Sequence, residues 1–231
     1  MPILTDILDA WRSHNVVGQL FELFARMLSL CYDEYVIAMA VWRGELGERE
    51  GHDQIRRKDK QVNQFQLDIR SRLVRHLTVN PGDSVPASLV FMSIAKDAER
   101  LGDYAKNLAE VYRHPGDTGE PAAVAGAVNA LLETCRSDFE RTRQAFTEND
   151  TRLAEEVIGR TKQVRRGCDE LLEKLLAGVE GVEPQQAVAF ALAGRYCKRV
   201  SAHLKNICTA VVAPVEFLDY SKKGIAARGE R

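Results

Sequence analysis

What this sequence lacks excludes several kinds of protein. No stretch of its 231 residues approaches the ~20 uninterrupted apolar residues of a membrane-crossing helix. The opening segment, Met1 to Ala10, has no basic start, and acids interrupt its apolar residues, so no secretory leader is expected. The five cysteines, Cys31, Cys135, Cys168, Cys197 and Cys208, include no C-x-x-C pair and read as reduced thiols filling core positions. The five histidines, His14, His52, His76, His114 and His203, show no zinc-ligand spacing and read as surface or loop residues. A glycine-rich phosphate loop, a nucleophile elbow and the Glu-x-x-His pairs of di-iron bundles are all missing. Nothing here argues for an enzyme. A net charge of -1 gives no electrostatic case for nucleic acid or an anionic membrane, and the basic runs Arg56-Arg57-Lys58 and Arg165-Arg166 read as solvated helix faces. A cytoplasmic protein with no inserted segment is the expectation.

Strand-like alternation is absent too, whereas the 3.6-residue period recurs. Val17, Leu20, Phe21, Phe24, Met27, Leu28 and Cys31 form one apolar stripe, extended by Tyr35 and Ala38, which predicts a helix from about Ser13 to Arg43. After Gly44 and Gly47, a second stripe runs through Ile55, Val62, Gln66, Ile69 and Leu73, ending at Asn80-Pro81-Gly82-Asp83. A third helix is predicted from near Ser84 to Tyr112, with Pro86 tolerated in its first turn. The strongest break, His114 to Pro121, falls at mid-chain. Beyond it the spacing predicts helices over Ala125–Phe146, Thr151–Leu176 and Gln185–Val212, then a basic, disordered tail from Ser221. With 45% hydrophobic residues there is ample material for a core.

The sixth predicted helix repeats the third. Arg100, Lys106 and Asn107 recur as Arg199, Lys205 and Asn206, while Leu101, Gly102 and Leu108 become Val200, Ser201 and Ile207. The second and fifth also align, with Ile55, Val62, Gln66, Ile69 and Leu73 opposite Val157, Val164, Cys168, Leu171 and Leu175. A tandem duplication of a three-helix unit follows, and the fold expected is all-α: two elongated three-helix bundles, each helix roughly 40 Å long. The units are placed at 1–114 and 121–214, with 215–231 as the tail.

The copies differ where they carry charge. Glu99 and Asp103, one helical turn apart, become Lys198 and Ala202. Asp59 and Asn63, also four apart, become Thr161 and Arg165. Like charges at that spacing repel by a few tenths of a kcal/mol, an effect a hard cation such as Mg²⁺, Ca²⁺, Mn²⁺ or iron would offset through oxygen ligands. Ordinary ion pairs with Lys96, Arg100 and Lys106 are the competing account. Gly102, mid-helix at a cost of ~1 kcal/mol relative to alanine, points to close helix–helix approach.

The segment Ala95 to Glu110, with Glu99-Arg100-Leu101-Gly102-Asp103 followed by Asn107-Leu108-Ala109-Glu110, resembles the signature helix of the PhoU family of phosphate-signalling regulators. There the helix reads approximately Leu-Glu-Arg-Ile-Gly-Asp-His-Ala-x-Asn-Ile-Ala-Glu, and a second, degenerate copy spans Tyr196 to Cys208. The resemblance implies a non-enzymatic homodimeric adaptor coupling a membrane phosphate transporter to a sensor histidine kinase and restraining the phosphate-starvation response. It also implies a divalent metal (iron, manganese, magnesium or zinc) at Asp59, Asn63, Glu99 and Asp103 of the first half only. Two rivals are an accessory regulator of another transporter, such as a sodium–phosphate carrier or potassium channel, and a metal-buffering helical protein.

Overall fold

The structure, a computed structural model, describes residues 16–80, 85–111 and 122–213. All of its regular structure is helical: α1 Val16–Trp42, α2 Glu48–Val79, α3 Val85–Val111, α4 Ala122–Glu148, α5 Thr151–Leu176 and α6 Pro184–Val212. These are the six helices expected from periodicity, at nearly the expected bounds. Ser13, Pro81 to Ser84, Tyr112, the break at His114 to Pro121 and the tail from Ser221 lie outside the described residues. No described helix is long and apolar enough to cross a membrane.

Each stripe faces its bundle. Ile55, Val62, Ile69 and Leu73 of α2 are buried, as are Val157, Val164, Cys168 and Leu171 of α5. Gln66 is half-buried and donates from Nε2 to the Ala95 carbonyl of α3 (3.4 Å). All five cysteines are buried and free. At the α4–α5 turn Asn149 takes φ +53°, a left-handed conformation asparagine tolerates. The Asp150 side chain then accepts from Leu153 N (2.9 Å) and caps α5.

The repeat extends to the remaining pair of helices. Cys31 of α1 donates from Sγ to Ala98 O of α3 (3.2 Å), and Cys135 of α4 does the same to Cys197 O of α6 (3.5 Å). Ala98 and Cys197 are counterparts in the α3–α6 alignment, so Cys31 and Cys135, Glu34 and Asp138, and Tyr35 and Phe139 are counterparts too.

The two bundles meet through helices that are each other's copies: α1 packs on α4, and α3 on α6. This is the arrangement of an isologous interface, here within one chain. Two counterpart pairs sit on it, Tyr35 against Phe139 (ring centroids 6.0 Å apart) and Tyr104 against His203 (5.7 Å). Nearby, Phe146 of α4 stacks on Phe21 (4.6 Å) and packs against Phe24 (4.7 Å) of α1. Truncating a fully buried ring loses its transfer energy and leaves a cavity. Phe146→Ala is therefore expected to destabilise the chain by about 3–5 kcal/mol, read as a lower urea midpoint at unchanged slope. An unmoved midpoint would show that this ring cluster does not hold the bundles together.

Candidate functional site

The residues singled out on α2 and α3 share one face of the first bundle, where their helices lie side by side. Asp59, Glu99 and Asp103 are partly buried, and Asn63 is exposed. Lys106, one turn beyond Asp103, places Nζ 2.7 Å from Asp59 Oδ1 and 2.9 Å from Asp103 Oδ1. Arg100 takes the other oxygen of Asp103 (3.2 Å) and approaches Glu99 (3.7 Å). Asn63 donates its amide to Asp59 Oδ2 (3.2 Å). The face is thus closed by ion pairs from Arg100 and Lys106, and Lys106 bonds the acids of two helices at once.

Burial works against the Lys106 charge, but hydrogen bonds to Asp59 and Asp103 outweigh it and hold the ammonium above its usual pKa. Glu99 is raised instead, by its own burial and then by the neighbouring Asp103. A cleft of about 270 Å³ opens between α2 and α3 beside the Asp59–Lys106 pair, with His52, Arg56 and Glu110 at its walls.

Beneath this face lies a residue that sequence reasoning missed. Glu34 of α1 is fully buried, and neither carboxylate oxygen has a hydrogen-bond partner among the described residues. Burial, followed by the charge of Asp59, pushes its carboxyl up to about 8. The space for it comes from Gly102, where an added Cβ would stand 2.6 Å from Glu34 Oε2. The close approach that Gly102 signalled is therefore made by a side chain. A signal was available: Glu34 falls between Cys31 and Ala38 on the core-facing stripe of α1, a register where an acid is out of place.

The second unit treats the equivalent positions differently. Asp138, the counterpart of Glu34, is also buried, but Arg160 closes on it as an ion pair, out of line for a hydrogen bond. Lys58, the counterpart of Arg160, turns outward to Asp33 (2.9 Å). Ser201 stands where Gly102 does, opposite the shorter acid. Lys198 is engaged by Asp169 of α5, so it is no unpaired charge on an open face.

His203 differs from the surface role expected of it. It is partly buried between the bundles, with Nδ1 2.7 Å from Asp97 Oδ1, the same oxygen that accepts from Asn206 Nδ2 (3.1 Å). Asp97 is itself buried, so this α3–α6 link is a sheltered polar contact in the seam.

The divalent metal implied by the resemblance meets a donor set that does not suit it. No three His, Cys, Asp or Glu side chains converge as metal ligands among the described residues, and Lys106 stands between the two aspartates. Chemically, the arrangement clamps α2 to α3 through charge and keeps a protonated carboxyl underneath.

Two measurements follow. In the folded chain Glu34 keeps its proton to about pH 8, whereas an ordinary glutamate releases it near 4.5. Between those values the folded state binds the extra proton, so stability falls as pH rises through this window, by at most about 1.4 kcal/mol per pH unit. Glu34→Gln is expected to flatten that slope in urea titrations, and equal slopes in both proteins would dismiss the buried proton. Gly102→Ala is expected to destabilise modestly, by overpacking of about 1–3 kcal/mol against the Glu34 carboxyl less the ~1 kcal/mol of helix propensity that alanine returns. Adding Glu34→Ala should recover part of that loss, and strict additivity would break the assigned contact.

Comparison with known proteins agrees with this architecture. A family model described as PhoU domain matches residues 45–112 and 128–211. An uncharacterised protein of Deinococcus radiodurans is 27% identical over 170 residues, spanning 70% of this chain and 72% of that one. The crystal structure of PhoU from Pseudomonas aeruginosa superposes with a TM-score of 0.73 at 23% identity, covering 90% of this chain and 96% of that one. That of the phosphate transport system regulatory protein PhoU from Streptococcus pneumoniae gives 0.69 at 18%, covering 86% and 95%. Six helices in two repeated units, carrying the signature run on α3, agree with the family match over most of the chain: the protein belongs to the PhoU domain family.

Proposed function

We propose that this chain is a non-enzymatic regulator of phosphate uptake, an adaptor between a membrane phosphate transporter and a sensor histidine kinase that holds the phosphate-starvation response off when phosphate is plentiful. The observation that carries the reading is the family match across both units, together with the name of the Streptococcus pneumoniae protein of like fold, a phosphate transport system regulatory protein. The architecture suits the role. Helices of 26 to 32 residues present long faces, and the ion pairs across α2 and α3 fix one of them without a bound substrate.

An adaptor of this kind works by binding one state of its partner more tightly than the other, since a ligand shifts an equilibrium only by its differential affinity. The two units offer the partners different chemistry at equivalent places: acids interleaved with Arg100 and Lys106 in the first, Arg165 with the Lys198–Asp169 pair in the second.

Deleting the gene in its native host should raise a phosphate-starvation reporter under phosphate-replete growth, and the full-length chain should co-purify with a phosphate transporter component and a histidine kinase. A reporter that stays repressed, or co-purification with a sodium–phosphate carrier or potassium channel in place of those partners, would overturn the adaptor reading.

A further inference from the structure

All four carboxylate oxygens of Asp59 and Asp103 are already taken by nitrogen donors. Lys106 Nζ holds Oδ1 of both, Asn63 Nδ2 holds Asp59 Oδ2, and Arg100 holds Asp103 Oδ2. A divalent cation would have to break these bonds and sit beside an ammonium and a guanidinium. It would also lack the amide oxygen of Asn63, whose nitrogen faces Asp59.

We propose that Lys106 is the resident cation of this face, a tethered ammonium that fills the role of a metal ion, so that the first unit keeps its shape with no metal bound.

The geometry favours a built-in charge. Lys106 reaches Asp103 within one turn of its own helix and Asp59 across to α2, at distances proper to charge-assisted hydrogen bonds. Because the ammonium is attached to α3, no ion need be recruited from solution to bridge the helices. The buried Glu34 lies against Gly102 and does not join Asp59 and Asp103 as a third ligand among the described residues. On this reading the Lys106 ammonium is what keeps a cation from the facing carboxylates of Asp59 and Asp103.

The test is calorimetric titration of the chelator-stripped full-length chain with MnCl₂. Wild type and Lys106→Arg, which keeps a positive charge, should show no saturable binding below about 1 mM. Lys106→Gln should bind Mn²⁺ at least about tenfold more tightly than wild type, and Lys106→Gln with Asp59→Asn should lose that gain. Stoichiometric micromolar binding by wild type, abolished by Asp103→Asn, would overturn the proposal, and this arm needs no lysine variant to fold. A Lys106→Gln protein with native circular dichroism and no gain in affinity would overturn it equally.

Discussion

Two apolar faces, one from each three-helix unit, must close on each other before any other feature of the molecule can hold its place. Phe24, Met27, Leu28 and Tyr35 of α1 and Phe139 and Phe146 of α4 are buried to 1% exposure or less. Each such side chain contributes about 1.5–3 kcal/mol by leaving water. Intrinsic propensity gives long helices little stability, most of which comes from packing an amphipathic face. The seam also fixes α3, held by α1 and α2 on one side and by α6 on the other. Through α3 it fixes the positions of Glu99, Gly102, Asp103 and Lys106.

Within that frame the two units handle a buried acid in opposite ways. In the second, Arg160 reaches inward and pairs with Asp138, yet burial still raises the carboxyl. In the first, Lys58 faces outward to Asp33, and Glu34 is left to keep its proton. An unpaired buried charge costs far more than a neutral carboxyl, so protonation is the cheaper solution where no guanidinium arrives. The side chains match these solutions: the longer acid stands opposite glycine, the shorter opposite serine. The Asp59–Lys106–Asp103 clamp sits above Glu34, and its two carboxylates raise Glu34 while its ammonium lowers it.

Most of the architecture was legible because it rests on periodicity. The stripes of α2 and α5 name their buried residues directly, and the signature run on α3 recurs on α6 with identities that survive divergence. Ion pairing of Asp103 with Arg100 and Lys106 was legible as well, since i, i+3 spacing places them together. Glu34 was not, because a stripe is read from its apolar members and a single acid among them drops out. The α1–α4 correspondence was hidden for a related reason: Glu34/Asp138 and Tyr35/Phe139 keep place but not identity, and Cys31/Cys135 is a match too slight to read alone. His203 was misplaced because its partner Asp97 is over a hundred residues away in sequence, a distance no local pattern spans.

Because the seam joins copies rather than neighbours, the contacts that cover the first unit come from chain made roughly a hundred residues later. At about 5–20 residues per second of synthesis, Phe24, Leu28 and Tyr35 emerge roughly 5–20 s before Phe139 and Phe146 exist to cover them. During that interval the nascent first unit presents an apolar face shaped to accept a copy of itself. Two ribosomes on one message carry such faces side by side, so the same geometry that closes the folded chain also offers an early wrong partner. Speed of elongation through the second unit is, for this fold, part of what decides which copy arrives first.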